Sequence, residues 1–306
     1  MAGECASAIR LEHLTKRYGR VNALGGVSLD VQAGEIFGFL GLNGAGKTTT
    51  IRILLDLVRP TSGRTFVFGT DCQAHGREVR ARIGYLPGEL GFYGDMTGEA
   101  TLELLRRLSG RSIEGRLRRE LLGRLELSPR DLSRKVREYS TGMKRKLGIV
   151  QAFQADAPLL ILDEPTEGLD PLMQEAVYLL VVEARQRGRT VFMSSHVLPE
   201  VERVCDRIGL LRRGELVLVS EVAEVRRLAG RTVRIAFREA VTRHDGAWPD
   251  GCEVLELTPR QWNLRVRGPL GPVIALVAPL PVDDIDVGEA HLEEVLRRYY
   301  RDETAL

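Results

Sequence analysis

Up to about residue 228, short apolar runs alternate with stretches in which apolar residues recur at helical spacing. Runs such as Glu35–Gly41 and Ala157–Glu164 are apolar at mostly consecutive positions, which is typical of strands buried on both faces of a parallel sheet. Strands that alternate with helices along a chain build α/β domains. The pattern therefore predicts an α/β domain over residues 1–228.

Beyond residue 228 the pattern changes to short strands with alternating apolar residues, separated by turn sequences that contain proline. An apolar segment bounded by prolines and a final helical pattern follow. Together they predict a small α+β domain over residues 229–306, near the lower end of the usual domain size. The predicted elements are the strands Thr232–Phe237, Glu253–Leu257 and Trp262–Val266, the apolar segment Val273–Ala278 and the helix Ala290–Tyr300.

The charge of the 306-residue chain is nearly balanced, since 44 Lys and Arg face 42 Asp and Glu. This balance excludes a purely electrostatic role on nucleic acid. Residues 106–146 depart from it, with 14 Lys and Arg against 5 Asp and Glu. A solvated helical face explains such an excess, and attraction to an anionic membrane surface or to nucleic acid is the alternative.

Three features of the sequence bear on the compartment of the protein. The apolar stretches are far shorter than the about 20 residues that a membrane-spanning helix needs. The N-terminus lacks the pattern of a signal peptide, and the four cysteines are widely spaced. We therefore expect a cytoplasmic chain with free thiols and no spanning segment of its own.

The strongest local motif is GLNGAGKTT, Gly41–Thr49, which follows a predicted buried strand and fits GxxxxGK[ST] at every fixed position. Its glycines let successive backbone N–H groups point at phosphate oxygens. Lys47 supplies a cation for the β- and γ-phosphates, and the Thr48 hydroxyl is placed to bind Mg²⁺. A predicted helix follows, whose N-terminus adds positive charge. The candidate ATP-binding residues of this loop are Gly41, Leu42, Asn43, Gly44, Ala45, Gly46, Lys47, Thr48 and Thr49.

Two carboxylates, Asp163 and Glu164, end the second predicted buried strand. Ligands of parallel sheets bind beyond the carboxyl ends of the strands, so both carboxylates are expected at the same edge as the phosphate loop. Asp163 is positioned to hold Mg²⁺ through water, and Glu164 to act as a general base on the attacking water. A solvated pair of surface carboxylates is the alternative.

The order of further segments resembles the nucleotide-binding subunit of ABC transporters over roughly residues 8–225. The resemblance rests on Tyr18 in LTKRYG, on YSTGMKRK at Tyr139–Lys146, on DEPTEGLDP at Asp163–Pro171 and on SSHVLPEVE at Ser194–Glu202. YSTGMKRK retains the serine and the second glycine of the family signature LSGGQ.

This resemblance implies roles for residues outside the phosphate loop. Tyr18 would stack on adenine, His196 would contact the γ-phosphate as a catalytic residue beside Glu164, and Asp170 would couple two protomers. The signature of one protomer would cover the ATP that is held on the loop of the other. Its residues are Ser140, Thr141 and Gly142.

The resemblance also implies a fold and partners. The fold is a P-loop NTPase nucleotide-binding domain with a helical subdomain at about residues 88–156. Two copies of the chain would form a head-to-tail homodimer that binds ATP and Mg²⁺. The dimer would be peripheral on the cytoplasmic face of the membrane, where its partner would be a separate polytopic permease. No nucleic acid partner is expected. The subgroup with a C-terminal extension powers multidrug, antibiotic or polysaccharide exporters, and Gly88–Thr97 with the following helical region would form the docking surface for the permease.

The sequence departs from the family pattern at two places. A glutamine that contributes to the Mg²⁺ site in the family is Gly88 in this chain, and Glu89 follows it. Glu89 would replace that ligand only if the loop shifts by one residue. The signature also carries Tyr139, Thr141 and Met143 where the family has Leu, Gly and Gln.

Two other functions remain as alternatives to a transport ATPase. One is a soluble ABC-type ATPase that acts on ribosomes or nucleic acid, and the excess of basic residues over 106–146 favours it. The other is a nucleotide-gated scaffold that binds ATP without turnover, and the glycine at position 88, in place of the family's glutamine, favours it.

Overall fold

The computed structural model of the chain describes residues 7–111, 115–241 and 247–288. Contacts between residues divide the chain into two compact units, Met1–Val219 and Ser220–Leu306. The predicted helix Ala290–Tyr300 lies outside the described residues.

Two sheets form the first unit. One has four strands in the order β2-β1-β4-β5, and the other has six in the order β10-β9-β3-β8-β7-β6. The strands are β1 Ser7–Tyr18, β2 Val21–Gln32, β3 Ile36–Leu40, β4 Ser62–Val67, β5 Thr70–Asp71, β6 Ile83–Leu86, β7 Leu159–Asp163, β8 Thr190–Ser195, β9 Arg207–Arg212 and β10 Glu215–Glu221.

The α-helices within the described residues follow strands of either unit or lie between them. They are α1 Lys47–Leu54, α2 Gly76–Ala81, α3 Gly98–Ser109, α4 Gly115–Arg124, α5 Pro129–Ser133, α6 Thr141–Phe153, α7 Pro171–Gln186, α8 Leu198–Val204, α9 Val222–Ala229 and α10 Gly271–Val277. No helix in the described part of the chain is long and apolar enough to span a bilayer.

The strands β9, β3, β8, β7 and β6 run parallel to one another. Every residue of β3, β7 and β8 is buried, in agreement with the consecutive apolar runs of the sequence. Phe37 of β3 pairs in register with Phe192 of β8, and their rings stack with centroids 5.9 Å apart. This buried centre places the carboxyl ends of β3, β7 and β8 at one edge of the sheet.

Helices α3 to α6 lie between β6 and β7, within the predicted helical region. Thr97, Ser128 and Ser140 cap α3, α5 and α6 by accepting backbone N–H groups. Tyr139, which precedes the cap of α6, is buried and donates its hydroxyl to the Asp131 carbonyl over 2.6 Å. A tyrosine in place of the usual leucine therefore ties the start of α6 to α5.

The second unit contains an antiparallel sheet in the order β12-β13-β11-β14. Its strands are β11 Arg231–Phe237, β12 Cys252–Thr258, β13 Gln261–Val266 and β14 Val282–Gly288. The first three confirm the predicted strands, and α10 confirms that the proline-bounded apolar segment is an element of this unit. The sequence pattern does not predict β14, because three aspartates interrupt its apolar residues and most of its length is exposed.

Candidate nucleotide site

The phosphate loop joins the end of β3 to the start of α1 and is packed too tightly for side chains at two of its glycines. A Cβ on Gly41 would lie 2.5 Å from the carbonyl oxygen of Leu211. Gly46 has φ 111°, and a Cβ there would lie 2.6 Å from the carbonyl oxygen of Ala23. Only glycine therefore fits at both positions. Because these residues carry no side chain, the loop backbone can curl around an anion in front of the N-terminus of α1.

Lys47, the first residue of α1, is buried and turns back over the loop. Its Nζ donates to the Gly41 carbonyl over 2.5 Å and lies 3.3 Å from Oε1 of Glu164. The ammonium is thus held between the phosphate loop and the end of β7. This is the position from which it can bind a phosphate oxygen.

A second pair of contacts joins α1 to β7 and β8. The Thr48 hydroxyl donates to Oδ2 of Asp163 over 3.1 Å, and the Ser194 hydroxyl donates to Oδ1 of the same carboxylate over 2.5 Å. Asp163 is buried. The structure therefore brings together Thr48 and Asp163, two of the three residues that the sequence places near Mg²⁺, and oxygen donors of this kind are those that Mg²⁺ prefers.

Glu164 follows β7 and has a positive φ of 51°, a conformation that residues other than glycine rarely adopt. Its backbone N–H donates to the carbonyl oxygen of Ser194 over 3.2 Å. Its side chain lies between two basic groups, with Oε1 3.3 Å from Lys47 Nζ and Oε2 2.8 Å from His196 Nδ1. The three residues that sequence analysis proposes for γ-phosphate chemistry therefore form one cluster.

Arg145 on α6 is a site residue that sequence analysis missed. Its buried guanidinium donates to five backbone carbonyls, which belong to two loops next to the carboxylates. Burial lowers the pKa of Arg145, while the neighbouring carboxylates Glu167, Asp163 and Glu164 act in the opposite direction. The carbonyl acceptors belong to Pro87, Gly88, Asp163, Glu164 and Pro165.

The signature residues lie at the exposed N-terminus of α6. Ser140 accepts the Met143 N–H over 3.2 Å, and a Cβ on Gly142 would lie 3.5 Å from the Gly168 carbonyl oxygen. Among the described residues, no hydrogen bond or ion pair links Ser140, Thr141 or Gly142 to the phosphate loop or its two carboxylates. Asp170 is exposed as well and caps α7 by accepting the Met173 N–H over 3.0 Å.

Tyr18 lies at the end of β1 with 45% of its surface exposed. The Nζ atom of Lys16 stands 4.8 Å from the centre of the Tyr18 ring and donates to the Arg59 carbonyl over 2.8 Å. One face of the ring is therefore in a cation–π contact that orients it.

Gly88 and Glu89 follow β6 at the point where the family has its glutamine. A Cβ on Gly88 would lie 3.3 Å from Oδ2 of Asp163, so position 88 is the one that faces the carboxylate. Glu89 is exposed. Glu89 as a ligand of Mg²⁺ thus stays a prediction that requires the loop to shift by one residue.

A glycine-rich loop after a buried parallel strand, with a lysine at the start of the following helix and two carboxylates at the end of another buried parallel strand, defines a P-loop nucleotide-binding domain. The family model described as ABC transporter matches residues 24–167 of this chain. The chain is also 38% identical over 213 residues to the bacitracin transport ATP-binding protein BcrA of Bacillus licheniformis. This alignment covers 69% of each protein. The chain belongs to the ABC transporter ATP-binding proteins and is an ATPase of that family.

Solved structures agree with this assignment. One described as the ATP-binding subunit of an ABC transporter is 33% identical and superposes with a TM-score of 0.67, covering 72% of this chain and 93% of that chain. A dimeric bacterial ABC transporter cassette is 25% identical with a TM-score of 0.64, covering 70% of this chain and 98% of that chain.

Proposed function

We propose that the chain powers export through a separate membrane permease, as a head-to-tail homodimer that binds an ATP at each of two shared sites. The observation that carries this proposal is the separation of the two halves of the site. Lys47, Glu164 and His196 form one cluster, whereas the signature around Ser140 is exposed and makes no bond to that cluster in its own chain. An exposed helix N-terminus, with a serine whose hydroxyl accepts from the helix and keeps its own proton to donate, is suited to the phosphates of an ATP held by a second copy.

Within such a site each residue has a chemical task. The N–H groups of the phosphate loop and Lys47 bind the phosphates, and Glu164 accepts a proton from the attacking water. His196, which contacts the same carboxylate, donates to the γ-phosphate, and Tyr18 stacks on adenine. Thr48 and Asp163 would hold Mg²⁺, which supplies charge neutralisation on the β- and γ-phosphates.

The Tyr18 assignment gives a prediction for nucleotide affinity. Replacing Tyr18 by Ala is expected to raise the KM for ATP at least about fivefold, because stacking of a base on an aromatic ring contributes about 1–3 kcal/mol. The kcat should change less than about twofold, since the ring lies away from the reacting phosphate. Steady-state ATPase measurements check both values. Tyr18→Trp serves as the control that keeps the stacking, and an unchanged KM in Tyr18→Ala would remove Tyr18 from the site.

A role in transport is supported by the relatives, whereas export as its direction follows from the resemblance of the C-terminal extension to that of exporter subunits. The bacitracin transport protein matches over two thirds of its length. The permease contact is supported by the loop after β6, where Tyr93 is 72% exposed although it is aromatic. An exposed aromatic ring of this kind is typical of the anchor of a protein–protein interface.

The basic segment 106–146 gives less support to a nucleic acid partner than its composition indicates. Several of its guanidinium groups are already paired with carboxylates, which lowers the charge that remains for phosphates. The pairs include Arg106 and Arg107 with Glu103, Arg118 with Glu99, Arg124 with Glu183, and Arg137 with Asp95.

Capture from membranes tests the permease proposal. Tagged Glu164→Gln protein, loaded with ATP, is expected to retain a polytopic membrane protein from detergent-solubilised native membranes. The same protein with Tyr93→Ala should lose it, whereas Leu179→Ala, a control on α7 at a side chain that is 51% exposed, should not. Retention of ribosomes or nucleic acid without a membrane protein would contradict the proposal and favour a soluble ATPase.

A further inference from the structure

A buried carboxylate that the site chemistry does not use lies beneath the cluster. Glu200 is in the first turn of α8 and is 8% exposed. The Thr166 hydroxyl donates to its Oε1, and the Ser195 hydroxyl donates to its Oε2 over 2.8 Å. A carboxylate that leaves water needs such bonds, because burying it unpaired is costly.

The two hydroxyls belong to the two segments that carry the reactive groups. Thr166 lies two residues after Glu164, and Ser195 directly precedes His196. Thr166 and Ser195 are themselves buried. The Glu200 carboxylate therefore connects the segment after β7 to the end of β8, the same two segments that carry Glu164 and His196.

A third hydroxyl group, that of Tyr178, also hydrogen-bonds to Glu200. Burial, followed by the charge of Glu200 and a hydrogen bond to it, raises the pKa of the Tyr178 phenol to about 12. This phenol thus stays protonated at neutral pH. The basic neighbour on the same helix, Arg203, instead pairs with Glu175 over 2.6 Å. Glu200 is thus held by hydroxyl groups, whose bonds depend on direction as well as distance.

We propose that Glu200 is a positioning residue that fixes the distance between Glu164 and His196 through the hydroxyls of Thr166 and Ser195. The inference rests on the roles proposed for Glu164 and His196 above. It follows from geometry, since a carboxylate that accepts from both segments prevents either from moving alone. A displacement of about 1 Å in a reacting group costs about 100-fold in rate.

Replacing Glu200 by Ala is expected to lower the kcat for ATP hydrolysis at least about tenfold, because both segments lose their common acceptor. The KM for ATP should stay within about twofold, because Lys47 and the N–H groups of the phosphate loop are unchanged. Glu200→Gln should recover the kcat to within about threefold of wild type, since an amide accepts from one hydroxyl and donates to the other. Thr166→Val keeps the shape of the side chain without its hydroxyl, and an intermediate loss of kcat is expected.

The matched control is Val201→Ala, which shortens a buried side chain on the same helix without touching the carboxylate. It should lower the melting temperature and keep the kcat within about twofold. The proposal is overturned if Glu200→Ala keeps the kcat within twofold, if Val201→Ala loses the same kcat, or if Glu200→Gln is no better than Glu200→Ala. The base assignment is tested separately, since Glu164→Gln must abolish turnover whatever Glu200 does.

Discussion

Replacing Glu164 by Gln is expected to lower the kcat for ATP hydrolysis at least about 100-fold, within the range that a general base contributes. The amide keeps the size of the side chain and a hydrogen bond to His196 but cannot accept a proton from water. ATP binding should persist, because Lys47 and the loop glycines are unchanged. Turnover is measured by phosphate release, and binding by a fluorescent ATP analogue.

Glu167→Gln is the matched control for this variant. Glu167 is an exposed carboxylate three residues further along the same loop, and its loss should leave the kcat within about twofold. If Glu164→Gln kept more than a tenth of the wild-type turnover, Glu164 would not be the base. A loss of ATP binding together with turnover would instead show that Glu164 supports the loop through Lys47.

Replacing Arg145 by Ala is expected to lower the free energy of unfolding of the protein by about 3 kcal/mol. The change leaves five backbone carbonyls without their donor, and the bonds to two of them, Asp163 and Pro165, are fully buried, where each unpaired group costs about 1–3 kcal/mol. Hydrolysis should fall as well, because the same bonds hold the backbone of Asp163 and Glu164. Urea unfolding followed by circular dichroism measures the stability.

Arg145→Lys and Lys144→Ala are the controls for this prediction. Lysine keeps the charge but offers fewer donors in a less rigid arrangement, so a loss smaller than that of Arg145→Ala is expected. Lys144, next to it on α6, should tolerate Ala with a change below about 0.5 kcal/mol. Equal stability of Arg145→Ala and Lys144→Ala would show that the carbonyl contacts do not stabilise the fold.

The parts of the site that sequence analysis predicts are those with a local signal. The phosphate loop has fixed glycines because its backbone needs positive φ and close packing, and the strand before it is apolar throughout. Asp163 and Glu164 end a strand of the same kind. The topology of parallel sheets then places all of these residues at one edge, so their proximity follows from the pattern alone.

The parts that sequence analysis misses depend on contacts between distant segments. Arg145 reads as one more basic residue of a helix, and only the fold shows that two loops turn their carbonyls toward it. Glu200 likewise reads as an exposed helix residue, although the neighbouring Thr166 and Ser195 bury it. β14 has three aspartates among its apolar residues, and its pairing with β11, which is distant in sequence, rather than its own pattern makes it a strand.

The central claim is that each ATP site combines the loop of one chain with the signature of a second, and mixing two inactive variants tests it most directly. Lys47→Ala removes the phosphate cation, and Ser140→Arg blocks the signature. Each variant alone should be inactive, but a mixed dimer contains one intact site. Mixing the two folded variants should therefore restore about one quarter of the wild-type ATPase activity. A mixture that stays as inactive as its components would contradict the shared site.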